Sequence, residues 1–239
     1  MRPHTVGILA GMGARSTAPF VELVIDECQS QYGARHDADY PHLMIYSLPA
    51  PFYLDRPLDG PAVAAAITEG LRRLESTGVD FIAMPCNTAH IFYDELAAAV
   101  GVPVLNMIEE TIASLPEGTR APALFATRMT VEAGLYERAL SAAGLRLLAR
   151  EDWQRRMDEL LLAIKATPDR AAPQEMWDAL AADVRAAGAD TVILGCTDLN
   201  AVSPRLPAGL RLHDATACLA RATVRRYRMV SGAGCQVLG

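Results

Sequence analysis

Short apolar runs alternate with stretches of helical period along the whole chain. Thr5 to Ala10 reads as a strand, Gly11-Met12-Gly13 as a tight loop, and Thr17 to Ser30 as a helix. His42 to Ser47 is a second strand. Ala62 to Ser76 is an amphipathic helix closed by Gly78, and Asp80 to Met84 is a strand ending at Pro85-Cys86-Asn87-Thr88. Val102 to Leu105 reads as one more strand. The plan then restarts. Ala121 to Ala126 is a strand, Thr127 to Thr130 a loop, Val131 to Ala143 a helix and Leu145 to Ala149 a strand. Helices over Trp153 to Lys165 and Gln174 to Ala187 lead to a strand at Asp190 to Leu194, which ends at Gly195-Cys196-Thr197-Asp198. A strand at Leu210 to His213 and a last helix complete the pattern, and the segment from Met229 to Gly239 has little periodicity. Alternation of this kind predicts an α/β fold with mainly parallel sheets.

Two of these units match in detail. Gly78-Val79-Asp80-Phe81-Ile82-Ala83-Met84-Pro85-Cys86 lies over Gly188-Ala189-Asp190-Thr191-Val192-Ile193-Leu194-Gly195-Cys196. A glycine helix stop and an apolar strand are common to any helix-strand unit. A cysteine at the same place twice is not, and it points to an internal duplication. In open α/β sheets ligands bind beyond the carboxyl ends of the strands, which is where Cys86 and Cys196 fall. Each also precedes a helix, whose free N–H groups favour a thiolate and are expected to bring the thiol near neutrality. If the halves face each other, the two thiols flank one carbon from opposite sides. One then removes a proton as thiolate and the other delivers one as thiol. The carbanion formed needs hydrogen-bond donors, and Asn87, Thr88 and Thr197 are placed to supply them. Cys28 and Cys218 lie within helices and read as small core residues, while Cys235 lies in the tail.

Composition narrows the field. The chain has 239 residues, 51% apolar, with a formal net charge of −6. That charge argues against nucleic acid as a partner. No stretch approaches the length of a membrane helix, and the N-terminus lacks the pattern of a signal peptide. Five cysteines without paired spacing fit a reducing, cytoplasmic setting. Of the 22 basic residues only Lys165 is lysine. A chain that otherwise uses arginine throughout marks that position as one needing a compact charge. The glycines near the N-terminus do not follow a dinucleotide spacing, and the five histidines form no helix-spaced metal pair. His90, one turn from Cys86, reads as a helix-surface residue.

Met84-Pro85-Cys86-Asn87-Thr88-Ala89-His90 and Leu194-Gly195-Cys196-Thr197-Asp198 resemble the two active-site segments of the aspartate/glutamate racemases. The resemblance continues through Gly7-Ile8-Leu9-Ala10-Gly11-Met12-Gly13, Asn106-Met107-Ile108-Glu109-Glu110-Thr111 and Ala126-Thr127-Arg128-Met129-Thr130 followed by Gly134-Leu135-Tyr136-Glu137, and ends near Tyr227. It implies two pseudo-symmetric α/β domains with the active site in the cleft between them and no cofactor. Residues 1–105, joined by a C-terminal segment from about 211 to 239, would form the first domain, and 106–210 the second. It further implies a homodimer and an acidic amino-acid substrate, aspartate before glutamate. Cys86 and Cys196 would be the acid and base. Met12, Arg56, Asn87, Thr88, Thr127, Thr130, Lys165 and Thr197 would bind substrate, Arg56 and Lys165 being the cationic pair.

The chain departs from the family pattern at Ala14, Met129 and Asp198, where relatives commonly have Pro, Gly and Glu. Substrate identity is therefore less fixed than reaction type. A racemase or isomerase acting on a hydantoin or an unsaturated diacid, and a non-catalytic binding relative, stay open beside the first reading. A pyridoxal-phosphate enzyme would have only Lys165 for its Schiff base and shows no phosphate cradle.

Overall fold

The computed structural model describes residues 4–54, 56–202 and 206–232. Two three-stranded parallel sheets form its frame. In the first, β1 (Thr5–Ala10) lies between β2 (His42–Ser47) and β3 (Phe81–Ala83). Helices α1 (Thr17–Tyr32) and α2 (Gly60–Ser76) connect these strands. Val6 and Ile8 project to one face, where Phe20 and Val24 of α1 pack; Leu9 and Ile82 project to the other, against Ile67 and Leu71 of α2. That alternation is the period-two pattern of a strand covered on both sides.

After α3 (Tyr93–Ala98) and α4 (Met107–Ala113) the second sheet repeats the plan. Strand β4 (Pro122–Ala126) is followed by α5 (Arg128–Glu132), α6 (Leu135–Ala142), α7 (Glu151–Ala166) and α8 (Ala171–Ala186) before β5 (Thr191–Gly195). Strand β5 sits between β4 and β6 (Arg211–Asp214). Val192 and Leu194 face α7 and α8 in a core holding Trp153 and Trp177, while Ile193 faces Tyr136 and Leu140 of α6. The last helix, α9 (Ala215–Ser231), crosses back: Leu219, Ala220 and Val224 join the core of the first sheet.

Several expectations need correction. Val102–Leu105 contributes one bridge, Val104 to Ile82, because Pro103 has no N–H to extend a ladder. Leu145–Ala149 is not a strand; it is held to β4 through the Leu148 N–H on the Pro122 carbonyl at 2.8 Å. The helix expected over Val131–Ala143 is broken at Gly134, whose φ of 65° is left-handed. Thr127–Thr130 is not a loop: Thr127 caps α5, its Oγ1 accepting from the Thr130 N–H. Strand β6 (Arg211–Asp214), expected at the start of the segment returning to the first half, pairs with β5 in the second sheet. The final helix runs on through Met229 to Ser231 before Gly232 ends it in a left-handed turn. Asp55 and Cys235 lie outside the described residues. Among the described residues no helix is long and apolar enough to cross a membrane.

Candidate active site

The repeated residues do the same work twice. Gly78 and Gly188 take φ values of 80° and 98°, turning a helix end into the following strand. Two residues on, Asp80 Oδ2 accepts from the Thr5 N–H at 2.7 Å, and its own N–H donates to the Thr5 carbonyl at 2.8 Å. Asp190 repeats this on Arg120 and Ala121, at 2.8 and 3.2 Å. Each aspartate thereby pins the start of its strand to the neighbouring strand. Six residues later each strand delivers a cysteine at the same level of its sheet.

Cys86 and Cys196 line one cavity of about 220 Å³. Met12, Asn87, Thr88, Thr127, Lys165 and Thr197 line it too, as do Met129 and Asp198. Arg56 does not. It stacks over the Tyr53 ring at 4.3 Å and lines an adjoining cavity, which shares Leu54 and Met129 with the first. Thr130 also stands outside the lining, fully buried behind it. Its hydroxyl lies 3.0 Å from that of Thr88 and 2.9 Å from that of Thr127, which are themselves 3.0 Å apart. This triangle of hydroxyls ties the loop after Cys86 to the cap of α5 in the second half.

Gly11 and Gly13 bring the first loop close. Gly11 has φ of 90°, and a Cβ there would sit 2.5 Å from the Leu48 nitrogen. A Cβ at Gly13 would sit 2.9 Å from Asp198 Oδ1. Asp198 in turn holds Lys165, with Nζ to Oδ2 at 2.6 Å. The lone lysine is thus committed to a carboxylate at the rim of the cavity. A glutamate at position 198 would carry its charge one carbon further out, so the shorter residue belongs with this close approach.

Burial sets the resting state of both thiols. It pushes Cys86 up to about 12 and Cys196 up to about 12. The negative charge of Asp198 raises both further and the positive charge of Lys165 lowers both. Backbone N–H groups of Thr88 and Ala89 lower Cys86, and that of Asp198 lowers Cys196, without offsetting burial. The expectation of thiols near neutrality is therefore corrected. Each cysteine leads into a short 3-10 turn, Thr88–Phe92 or Thr197–Ala201, with few aligned dipoles to set against desolvation. The charge of Cys86 also raises Cys196, so the two thiols sense each other.

His90 is not a surface residue. It is 2% exposed, with Nδ1 2.8 Å from the Cys86 carbonyl and Nε2 accepting from the Met107 N–H at 3.0 Å. The second bond places the proton on Nδ1, which donates to the Cys86 carbonyl, and burial lowers the imidazole's pKa. Asn87 is held from the other half: the Tyr136 hydroxyl donates to its Oδ1 at 2.6 Å. Neither role was legible from spacing, because each joins residues brought together only by the fold. Cys28 and Cys218 are buried free thiols in helices.

Residues 9–223 match the family model described as Asp/Glu/Hydantoin racemase. The chain belongs to this family. It is 44% identical over 222 residues to the broad specificity amino-acid racemase RacX of Bacillus subtilis strain 168, covering 93% of this chain and 97% of that protein. Its structure is similar to the aspartate racemase of Picrophilus torridus, with a TM-score of 0.79, 27% identity and 94% of each chain covered. An aspartate racemase homologue from Pyrococcus horikoshii OT3, at 21% identity, shares the fold with a TM-score of 0.75 over 93% of this chain and 98% of that one. This member of the racemase family is therefore an amino-acid racemase, an isomerase of mixed α/β fold with two parallel sheets. Among its described residues no group of three His, Cys, Asp or Glu side chains could hold a metal ion.

Proposed function

We propose that Cys86 and Cys196 racemise an amino acid as opposed acid and base, with the α-carbon between them. The observation that carries this reading is the pair of thiols at equivalent strand ends in a single cavity. In one direction the Cys86 thiolate takes the α-proton and the Cys196 thiol gives its proton to the opposite face. In the other direction the roles reverse, so the enzyme alternates between two protonation states. Burial favours the protonated form of both thiols, so one of them releases its proton to solvent before the cycle begins, and positive charge in the cavity favours that release. A substrate α-ammonium supplies that charge, and Lys165 pulls the same way. Asn87, Thr88, Thr127 and Thr197 stand ready to hold the substrate carboxylate as charge develops on it.

Substrate scope turns on the cations. An acidic preference, aspartate before glutamate, is supported by Arg56 and Lys165 falling on the family's cationic pair. Three observations favour a broader scope. Lys165 is already paired with Asp198, Arg56 lines the adjoining cavity, and the 44% identical relative carries the name of a broad specificity racemase. We read the scope as broad, with acidic amino acids accepted and not preferred. The test is a panel of single-enantiomer amino acids incubated in deuterium oxide, followed by chiral chromatography and mass spectrometry. Racemisation of neutral substrates with one deuterium at the α-carbon is expected. Exclusive turnover of aspartate and glutamate would restore the narrow reading, and turnover of a hydantoin or unsaturated diacid alone would replace both.

We further read the protein as a cytoplasmic homodimer. Four buried free thiols support a reducing compartment. Met44 and Ile45, 40% and 42% exposed on the edge strand β2, support a second copy on that edge. Light scattering of the purified chain distinguishes dimer from monomer.

A further inference from the structure

Asn87 carries an unusual atom. The residue is 2% exposed and lines the cavity, yet its Nδ2 is buried without a hydrogen-bond partner. A buried donor left unpaired forfeits its hydration without a replacement bond, which calls for an explanation such as a ligand that completes it. An N–H requires an acceptor, and the acceptor every amino acid brings is its carboxylate.

What turns the amide this way is Tyr136. Its hydroxyl donates to Asn87 Oδ1 at 2.6 Å across 49 residues of sequence. Burial pushes the phenol well above its ordinary value, so it stays a donor. With Oδ1 taken, Nδ2 is the one amide atom of this cavity-lining residue left without a partner. The same ring also reaches the other half-site. A Cβ on Gly195, the residue before Cys196, would meet Leu124 at 2.8 Å, Ala126 at 3.0 Å and Tyr136 Cε2 at 3.4 Å. One fully buried side chain thus bonds the residue after Cys86 and borders the space beside the residue before Cys196.

We propose that Tyr136 is a positioning residue for racemisation: it fixes the Asn87 amide with Nδ2 turned to the substrate carboxylate, between the two cysteine segments. The inference rests on the racemase reading above. A carboxylate gains charge as the α-proton leaves, so a donor held in place strengthens its bond in the transition state. A donor free to rotate offers the carboxylate an oxygen part of the time and repels it.

The test is a double-mutant cycle. Tyr136→Phe keeps the ring against Gly195 and removes only the hydroxyl. It is expected to lower kcat/KM about 10- to 100-fold, chiefly through kcat, in both stereochemical directions. Asn87→Ala is expected to lower it further, and adding Tyr136→Phe to Asn87→Ala should change it less than about twofold. If Asn87→Ala is too slow to assay, the cycle is read instead as the inhibition constant of the α-methyl form of the best substrate, which has no α-proton to lose. Asn87→Asp, which keeps the shape and sets an oxygen towards the carboxylate, should bind that inhibitor more weakly than Asn87→Ala. A wild-type kcat/KM in Tyr136→Phe, or an equal loss with and without the Asn87 amide, would overturn the proposal. A wild-type protein inactive on every amino acid would instead defeat the racemase reading itself.

Discussion

The two half-sites share a thiol and little else. At the position after the cysteine stand Asn87 and Thr197, at the next Thr88 and Asp198, and two further on His90 and Asn200. On the Cys86 side all three side chains are uncharged and buried, braced by Tyr136, by the hydroxyls of Thr127 and Thr130, and by the Met107 N–H. On the Cys196 side the second position carries a carboxylate bonded to Lys165, and the fourth is exposed. A duplicated frame has kept the placement of the thiols and diverged in what surrounds them. The first half supplies fixed neutral dipoles; the second supplies a charge pair that acts on both thiols. The frame can stay symmetric because Gly78 with Asp80, and Gly188 with Asp190, set strand entry without touching the cavity.

The largest effect should come from breaking the one feature the halves share. Cys86→Ser and Cys196→Ser should each lower net racemisation by about 10²- to 10⁴-fold, since either direction needs both an acid and a base. Exchange of the α-proton with deuterium should survive in each single mutant for one enantiomer only, and for opposite enantiomers in the two. Chiral chromatography with mass spectrometry reads both quantities. If either mutant racemises at near the wild-type rate, the paired-thiol mechanism fails.

A smaller effect should sharpen the difference between the halves. Asp198 raises both thiols and Lys165 lowers both. Asp198→Asn removes the raising charge and leaves the lowering one, so the rise of kcat/KM with pH should move to lower pH. Lys165→Met does the reverse, and the rise should move to higher pH. Each shift should be on the order of one pH unit. The full pH profile of kcat/KM, which reports the free enzyme, checks the signs. Shifts in the same direction would show that the pair acts through packing and not through charge.

How much of this was legible in the chain depends on how local each signal is. The strands and the cysteines at their ends were readable, because an apolar run, a glycine stop and an aspartate at fixed offset lie within nine residues of one another. The exception at Val102–Leu105 turns on Pro103, and that at Gly134 on a left-handed glycine inside a helical pattern. The supports of the site were not readable. Tyr136 lies 49 residues from Asn87, Met107 17 from His90, and Thr88 and Thr130 42 apart. No periodicity relates them; only the meeting of the two halves does. Lys165 stood out by composition, but its partner Asp198 emerged only when α7 was seen packed beside the turn after Cys196. The thiol pKa values went the wrong way because a sequence shows the helix after each cysteine and not the depth of burial.

The smallest effect isolates the neutral brace of the first half. Asn200, the counterpart of His90, is exposed, and Asn200→Ala should change stability by no more than about 0.5 kcal/mol. His90→Asn should cost about 1–3 kcal/mol, because it leaves the buried Met107 N–H without its acceptor. The pH dependence separates this from a general loss of packing. Burial lowers the His90 pKa in the folded protein, so folding favours the neutral ring. The stability it contributes is complete above the unfolded value of about 6.5 and is lost as pH falls through the lower folded value. Wild-type protein should therefore melt at progressively lower temperature as pH drops below about 6.5. His213, also buried with its pKa lowered, contributes in the same direction. His90→Asn should flatten that acid slope without abolishing it, and Asn200→Ala should leave it unchanged. Thermal melts of the three proteins at closely spaced pH values decide the matter. An acid slope in His90→Asn as steep as in the wild type would mean that the imidazole is not the neutral link between Cys86 and Met107, and the contrast drawn between the half-sites would lose its uncharged side.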